Sequence, residues 1–360
     1  MWGRLIRPDA DSVMFDEKVR SSLGRYLAEV ENKLPASFLI SKRVSADLSP
    51  SSEGGLWGSH SEALESFRSL RRSISSLEQL GKVVSPNILD LKIRIAEHVM
   101  RHCCLCERRC GVDRLGGEKG ACRAGVDLEI SSMFNHYGEE PELVPSFTVF
   151  TMGCSFHCLH CQNYTISQWI ERGTKMSSQE VAREIDIARR NGSRNLNCVG
   201  GNPDQYLYAW LNVFSRLTEN VPVVWNSNAY YSEEEAELLR GVVDVYLLDF
   251  KYGNDRCAKD ISNVDDYFRI VSRNHLMAFR DAELIIRILV LPGHLDCCLK
   301  PITNWISHNL EPNVRVNLMW QYRPEWKAHE RKELTRRLTD REKLESMKIA
   351  KQAGLLNILT

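Results

Sequence analysis

The sequence predicts an α/β fold built on a parallel barrel, closed or partial, of about six strand–helix units behind an N-terminal helical extension. Two observations carry this. From residue 147 onward, short runs rich in Val, Ile, Leu and Phe alternate with amphipathic stretches. Before residue 100 only helical patterns and Ser- or Gly-rich breaks occur. Strands are expected at 147–152, 195–199, 221–226, 243–249, 283–291 and 314–320, and helices at 178–191, 204–217 and 232–239. The first of these helices opens on Ser177 or Ser178, and the last has an acidic first turn, which suits the helix dipole. Strand–helix–strand order implies parallel pairing through right-handed crossovers. Function then belongs at the C-terminal ends of the strands. In the extension, helices are expected at 17–34, 62–80 and 88–101, and 49–61 reads as a loop or linker. The extension holds no chemical motif and reads as a helical cap or interaction arm. The organisation is a helical extension (1–100), a cysteine-rich module (101–145), a core barrel (146–325) and a C-terminal helical segment (326–360).

Composition excludes some classes. Of 360 residues, 47 are Lys or Arg and 47 are Asp or Glu, so no net field attracts nucleic acid or an anionic membrane. The basic stretch 323–341 is interleaved with acids and reads as a solvated helix face. Residues 1–9 lack the apolar run of a signal peptide, and no stretch is long enough to cross a bilayer. A cytoplasmic location is expected, where thiols stay reduced. The twelve cysteines are then better read as metal ligands or catalytic groups than as disulfides.

Cys154, Cys158 and Cys161 lie within eight residues, directly after the first barrel strand. Three thiolates suit a [4Fe–4S] cluster with one open iron, and such an iron chelates the amino and carboxylate groups of S-adenosylmethionine (SAM). The alternatives are zinc, with His157 or His160 as fourth ligand, and three packing cysteines. The glycine-rich segment 103–122 offers a second set: Cys103, Cys106, Cys110 and Cys122, with Cys104 as an alternative first ligand. Structural zinc, an auxiliary iron–sulfur cluster and free thiols all stay open there. Cys198 reads as core. Cys297 and Cys298 read as packing residues, with a thiol that meets the substrate radical as the alternative.

The C-x3-C-x2-C spacing resembles the radical SAM superfamily. Gly153-Cys154, Cys161-Gln162-Asn163-Tyr164, Asp249-Phe250-Lys251-Tyr252, the stretch from Arg287 to His294, and Gln321-Tyr322-Arg323-Pro324 resemble the subfamily of pyruvate formate-lyase activating enzyme. The likeness runs from about 103 to 359. It implies a partial (β/α)6-type TIM barrel and an oxidoreductase that cleaves SAM reductively to a 5′-deoxyadenosyl radical, which abstracts a hydrogen atom. It implies that His160 lies against adenine, that Gly200-Gly201 receives the SAM amino group, and that Asn226 and Asn228 bond ribose or carboxylate. Asn202 stands where the family often has an acid. Asp249, with Lys251 or Arg287 available to pair with a carboxylate, completes the set; each of these also has a reading as a structural hydrogen-bonding residue of the barrel mouth. It further implies a reductant such as ferredoxin or flavodoxin, and a protein substrate whose glycine becomes the radical. Modification of a peptide or small metabolite, or a metal-stabilised electron-transfer module without SAM turnover, are the other readings.

Overall fold

A computed structural model describes residues 7–360; of the stretch read as lacking a leader, residues 1–6 lie outside the described residues. Nine strands form one sheet: β1 (Leu128–His136), β2 (Ser146–Thr151), β3 (Thr174–Met176), β4 (Asn195–Gly200), β5 (Val223–Ser227), β6 (Val245–Asp249), β7 (Glu283–Leu289), β8 (Arg315–Met319) and β9 (Ile358–Leu359). Their order is β3-β1-β2-β4-β5-β6-β7-β8-β9. From β2 to β9 every pairing is parallel, while β1 runs antiparallel to β2 and β3. The sheet ends in edges at β3 and β9, so the barrel is partial.

Side chains alternate across the strands, and the alternation separates two cores. Val223, Trp225, Tyr246, Leu248, Leu284 and Ile286 join the main core, together with helices such as Ser178–Arg190 and Leu207–Arg216. Val224, Val245, Leu247 and Ile285 belong to a second, smaller core. Its other wall is Met14, Val19, Leu23, Tyr26 and Leu27, largely from the helix Glu17–Val30. The extension therefore closes the barrel floor. The Glu283 carboxylate accepts the Arg25 and Tyr26 N–H groups at 2.7 Å each, and Asn195 Nδ2 donates to Tyr26 Oη at 2.8 Å. The residues that continue the inward series toward the strand C-termini are Asn226, Asp249 and Arg287, so the period of two aims them into the barrel mouth.

Several boundaries differ from the sequence expectation. The stretch 49–61 is mostly helical, because Glu53–Ser73 forms one helix whose N-cap, Ser52, accepts from Gly55 N. Leu56, His60, Ala63, Leu64 and Phe67 recur at helical spacing and are buried, which outweighs the poor propensity of the local glycines. The basic stretch forms two short 3-10 turns, Ala328–Glu330 and Lys332–Thr335, with ion pairs such as Arg331–Glu333 at 2.8 Å. After the helix Asp340–Gln352 the chain returns as β9 against β8. Among the described residues, no helix is long and apolar enough to cross a membrane.

The helices Glu53–Ser73 and Ile88–Arg101 meet at a buried polar pair, with Lys92 Nζ 2.7 Å from His60 Nε2. Burial pulls Lys92 down to about 7, against about 10.4 in the unfolded chain. Between those values the unfolded chain holds a proton that the folded chain lacks, so this contribution rises with pH from 7 to 10. Below 7 both states are charged and the cost is greatest. Replacing the pair together, Lys92→Met with His60→Leu, is expected to raise stability at pH 7 by about 1–4 kcal/mol. The gain should narrow toward pH 10, as read by denaturant unfolding at each pH; a gain that grows with pH would contradict it.

Candidate active site

A cavity of about 580 Å3 opens at the C-terminal ends of the parallel strands. It is lined by Cys154, Cys158 and Cys161 and by every sequence-proposed cofactor residue: His160, Gly200, Gly201, Asn226, Asn228, Asp249, Lys251 and Arg287. That volume lies in the range of small-molecule and cofactor sites.

The cysteine loop leaves β2 through Gly153, whose φ of +84° and close neighbours exclude a side chain; a Cβ there would lie 2.7 Å from Cys122 O. Hydrogen-bond donors are aimed at the sulfurs. Cys154 Sγ accepts from Phe156 N at 3.3 Å and from Asn228 Nδ2 at 3.6 Å. Cys158 Sγ accepts from Ser262 Oγ at 2.9 Å, and Cys161 Sγ lies 3.2 Å from Ser167 Oγ. Burial pushes Cys158 up to about 11 and raises Cys154 and Cys161 as well, while Lys251 opposes the rise in all three. Without a metal the three thiols hold their protons at neutral pH, so a thiophilic metal must displace them.

The opposite wall divides into engaged and available groups. Arg287 donates to Glu140 at 2.8 and 2.6 Å, and also to Glu139 and to Asn226 Oδ1 (3.4 Å). The carboxylates it meets are therefore the chain's own. Asn228 braces the cysteine loop, donating to Ser155 Oγ at 3.1 Å as well as to Cys154. Asn202 accepts from Asn228 N and donates to Asp204 at 2.6 Å. Asn226 Nδ2, by contrast, is buried without a partner. Lys251 Nζ donates to Asp249 Oδ2 at 2.6 Å; burial disfavours its charge, but Asp249 and Cys158 outweigh that and hold it above the ordinary lysine value. Burial pulls His160 down to about 3, so it is neutral, and its Nε2 shares a hydrogen bond with Tyr252 Oη at 3.2 Å.

Over 340 residues the chain is 43% identical to an uncharacterized protein of Methanocaldococcus jannaschii, covering 92% of this chain and 98% of that one. The family model of the radical SAM superfamily matches residues 148–306, from β2 into the helix after β7. The chain belongs to the radical SAM superfamily. Its members are enzymes that use a [4Fe–4S] cluster and SAM for radical chemistry, and they need a reductant. The GTP 3′,8-cyclase of Campylobacter lari is 24% identical over 92 residues, 25% of this chain and 29% of that one. Among solved structures, Streptococcus suis SuiB bound to its precursor peptide SuiA superposes with a TM-score of 0.43 at 13% identity. That match covers 58% of this chain and 46% of SuiB, so this radical SAM chain spans about half of SuiB's length. TYW1 with a lysine–pyruvate adduct gives 0.37 at 12% identity, over 57% of this chain and 73% of that one.

In this radical SAM barrel the Gly200-Gly201 pair has a packing role as well as the expected ligand role. A Cβ on Gly200 would lie 2.2 Å from Thr151 N and O, and one on Gly201 2.0 Å from Gly153 O. Gln205 adds a clamp, donating to Met152 O at 3.0 Å and Gly153 O at 2.9 Å. Gly201→Ala should thus displace the cysteine loop at a cost of about 1–3 kcal/mol. Iron bound per chain after anaerobic reconstitution should fall with it, and normal iron content at unchanged stability would refute this.

Sequence reasoning missed Glu139 and Glu140, which carry no motif and reach the cavity only because the segment between β1 and β2 folds over the mouth. The cysteine-rich module sits beside the same mouth: Cys106 bridges Tyr231 just after β5, and Arg108 Nε donates to Ser155 O at 2.9 Å. Burial and the neighbouring Cys122 and Cys103 push Cys106 well up, and burial raises Cys122 despite Arg114. Among the described residues, neither the sulfurs of Cys103, Cys106, Cys110 and Cys122 nor those of Cys154, Cys158 and Cys161 form a group within 4.8 Å of one another, a spacing that tests for a single ion and not for a cluster whose sulfurs bind different irons. Cys198 is fully buried in β4.

Proposed function

We propose that Cys154, Cys158 and Cys161 hold one [4Fe–4S] cluster, and that the cavity beside them takes SAM. The observation that carries this reading is three sulfurs lining one cavity, those of Cys154 and Cys158 buried and that of Cys161 half-buried, each with an N–H or O–H group within reach. The donor set fits the group, because thiolates that accept such bonds are stabilised as ligands. The unpartnered Asn226 Nδ2 supplies a hydrogen bond to SAM, and Lys251 meets its carboxylate. Neutral His160 places an uncharged ring beside the third sulfur, where adenine would lie. Bound there, the cluster supplies the electron that splits SAM to methionine and a 5′-deoxyadenosyl radical. The barrel floor, closed by the helix Glu17–Val30, keeps water from entering from below.

The reaction is then hydrogen-atom abstraction from a substrate by an activating-enzyme-like oxidoreductase, in the cytoplasm, with ferredoxin or flavodoxin as reductant. The motif resemblance favours a glycine of a partner enzyme. A peptide or small metabolite as the substrate of the same radical is the second reading. Reconstituted, reduced protein given SAM should release 5′-deoxyadenosine, with one methionine for each. Absence of both products under strong reduction would sink the reading.

A further inference from the structure

A second set of ligand-type side chains lies outside the cavity motif. Among the described residues, Cys257, His294, Cys297 and Cys298 place their ligand atoms within 4.8 Å of one another. Cys257 Sγ is 3.9 Å from Cys297 Sγ, and Cys297 Sγ is 3.9 Å from Cys298 Sγ. His294 Nδ1 is 3.7 Å from Cys257 Sγ, 3.3 Å from Cys297 Sγ and 3.8 Å from Cys298 Sγ. Bonds of about 2.3 Å to sulfur and about 2.0 Å to nitrogen put tetrahedral ligand atoms about 3.5–3.8 Å apart. The observed separations match that spacing, and they are far longer than a disulfide bond of about 2.05 Å.

The surroundings are those of a metal-binding imidazole. His294 Nε2, on the far side of the ring, is 3.6 Å from Glu333 Oε1. A carboxylate on the second ring nitrogen orients a ligating histidine and raises its basicity. Glu333 is itself held by Arg331 at 2.8 Å. Asn254 Nδ2 donates to Cys257 Sγ at 3.4 Å and to Cys297 O at 2.7 Å, which ties the two ligand segments together. Gly253 permits this approach; a Cβ there would lie 2.5 Å from Cys298 O.

We propose that these four residues bind one zinc ion in a Cys3His site that clips the loop after β6 to the loop after β7. On binding, the three thiols form sulfur–zinc bonds and release their protons to solvent. The ion fixes the first turn of the helix Asp255–Ser262. The other end of that helix braces the cavity motif: Ser262 Oγ donates to Cys158 Sγ, and the carbonyls of Ile261 and Ser262 accept from Leu159 N and His157 N. The site therefore positions the cysteine loop from outside the cavity.

The test uses the full chain, kept anaerobic, with zinc alone as probe. Alkylation is followed residue by residue by mass spectrometry, with and without one equivalent of zinc. Cys297 is exposed, so zinc should slow its alkylation at least tenfold, and a chelator should restore it. Equal rates with and without zinc would overturn the proposal. Cys297→Ser should lose one zinc per chain while iron uptake persists; unchanged zinc content would also overturn it. Glu333→Gln, on a partly exposed side chain, should weaken zinc about 10–100-fold by chelator competition. Zinc affinity that ignores this change would remove the histidine from the site. None of these readouts requires SAM cleavage, so the site stands or falls apart from the proposed radical chemistry.

Discussion

Cys158→Ala, reconstituted with iron and sulfide, is expected to release 5′-deoxyadenosine more than about a hundredfold more slowly than the parent chain, because even groups one step removed from a metal cost 10–100-fold. Cys158 lies in the middle of the loop, and its sulfur ends a chain of hydrogen bonds that runs from His160 through Tyr252 and Ser262. Its removal leaves two thiols on a wall that needs three, and a cluster with two protein ligands is poorly held. The side chain is small and 8% exposed, so the folded chain should lose little stability. Cys198→Ala, in the core of β4 and outside the cavity lining, is the matched control. Two measurements decide the matter: iron and sulfide per chain, and 5′-deoxyadenosine per minute. Turnover at the parent rate by Cys158→Ala would end the assignment of the three cysteines.

Arg287→Met is expected to destabilise the fold by about 3–5 kcal/mol at neutral pH. The guanidinium is the cationic partner of Glu139 and Glu140, whose side chains are 6% and 0% exposed. Replacing it leaves two buried carboxylates facing each other without their guanidinium, and only His136, 3.2 Å from Glu139, and Asn317, a neutral donor to Glu140 at 2.7 Å, remain beside them. In the parent chain burial opposes the charge on Glu139, yet Arg287 and His136 hold its pKa below the ordinary glutamate value. A depressed carboxylate stabilises the fold above its unfolded pKa and loses that contribution as pH falls through the folded one. The gap between parent and variant should therefore be widest near pH 7 and close in acid. Denaturant midpoints at several pH values measure it. A variant with parent stability and only weaker SAM binding would instead make Arg287 a ligand group.

The legibility of this protein in its sequence follows the range of the interactions. Cys154, Cys158 and Cys161 lie so close along the chain that local backbone alone puts all three on one cavity, and the ligand role proposed for them rests on that spacing. Six of the seven parallel strands were legible, with ends shifted by one or two residues, because a buried strand is written as a short apolar-rich run; the two-residue β9 was not. The period of two even carries the aim of Asn226, Asp249 and Arg287.

What those side chains meet was decided only by tertiary structure. Arg287 finds Glu139 and Glu140 because the segment before β2 crosses the mouth, a contact about 147 residues long in sequence. Cys257, in the first turn of the helix after β6, and His294, in the turn after β7, meet because β6 and β7 pair in register, with Asp249 opposite Arg287. The helix at Glu53–Ser73 overran a stretch whose glycines signal a loop, since a buried apolar stripe stabilises more than those glycines cost. Local chemistry is written in neighbouring residues, whereas long-range partnership depends on the path by which the chain brings distant segments together, which no local pattern encodes.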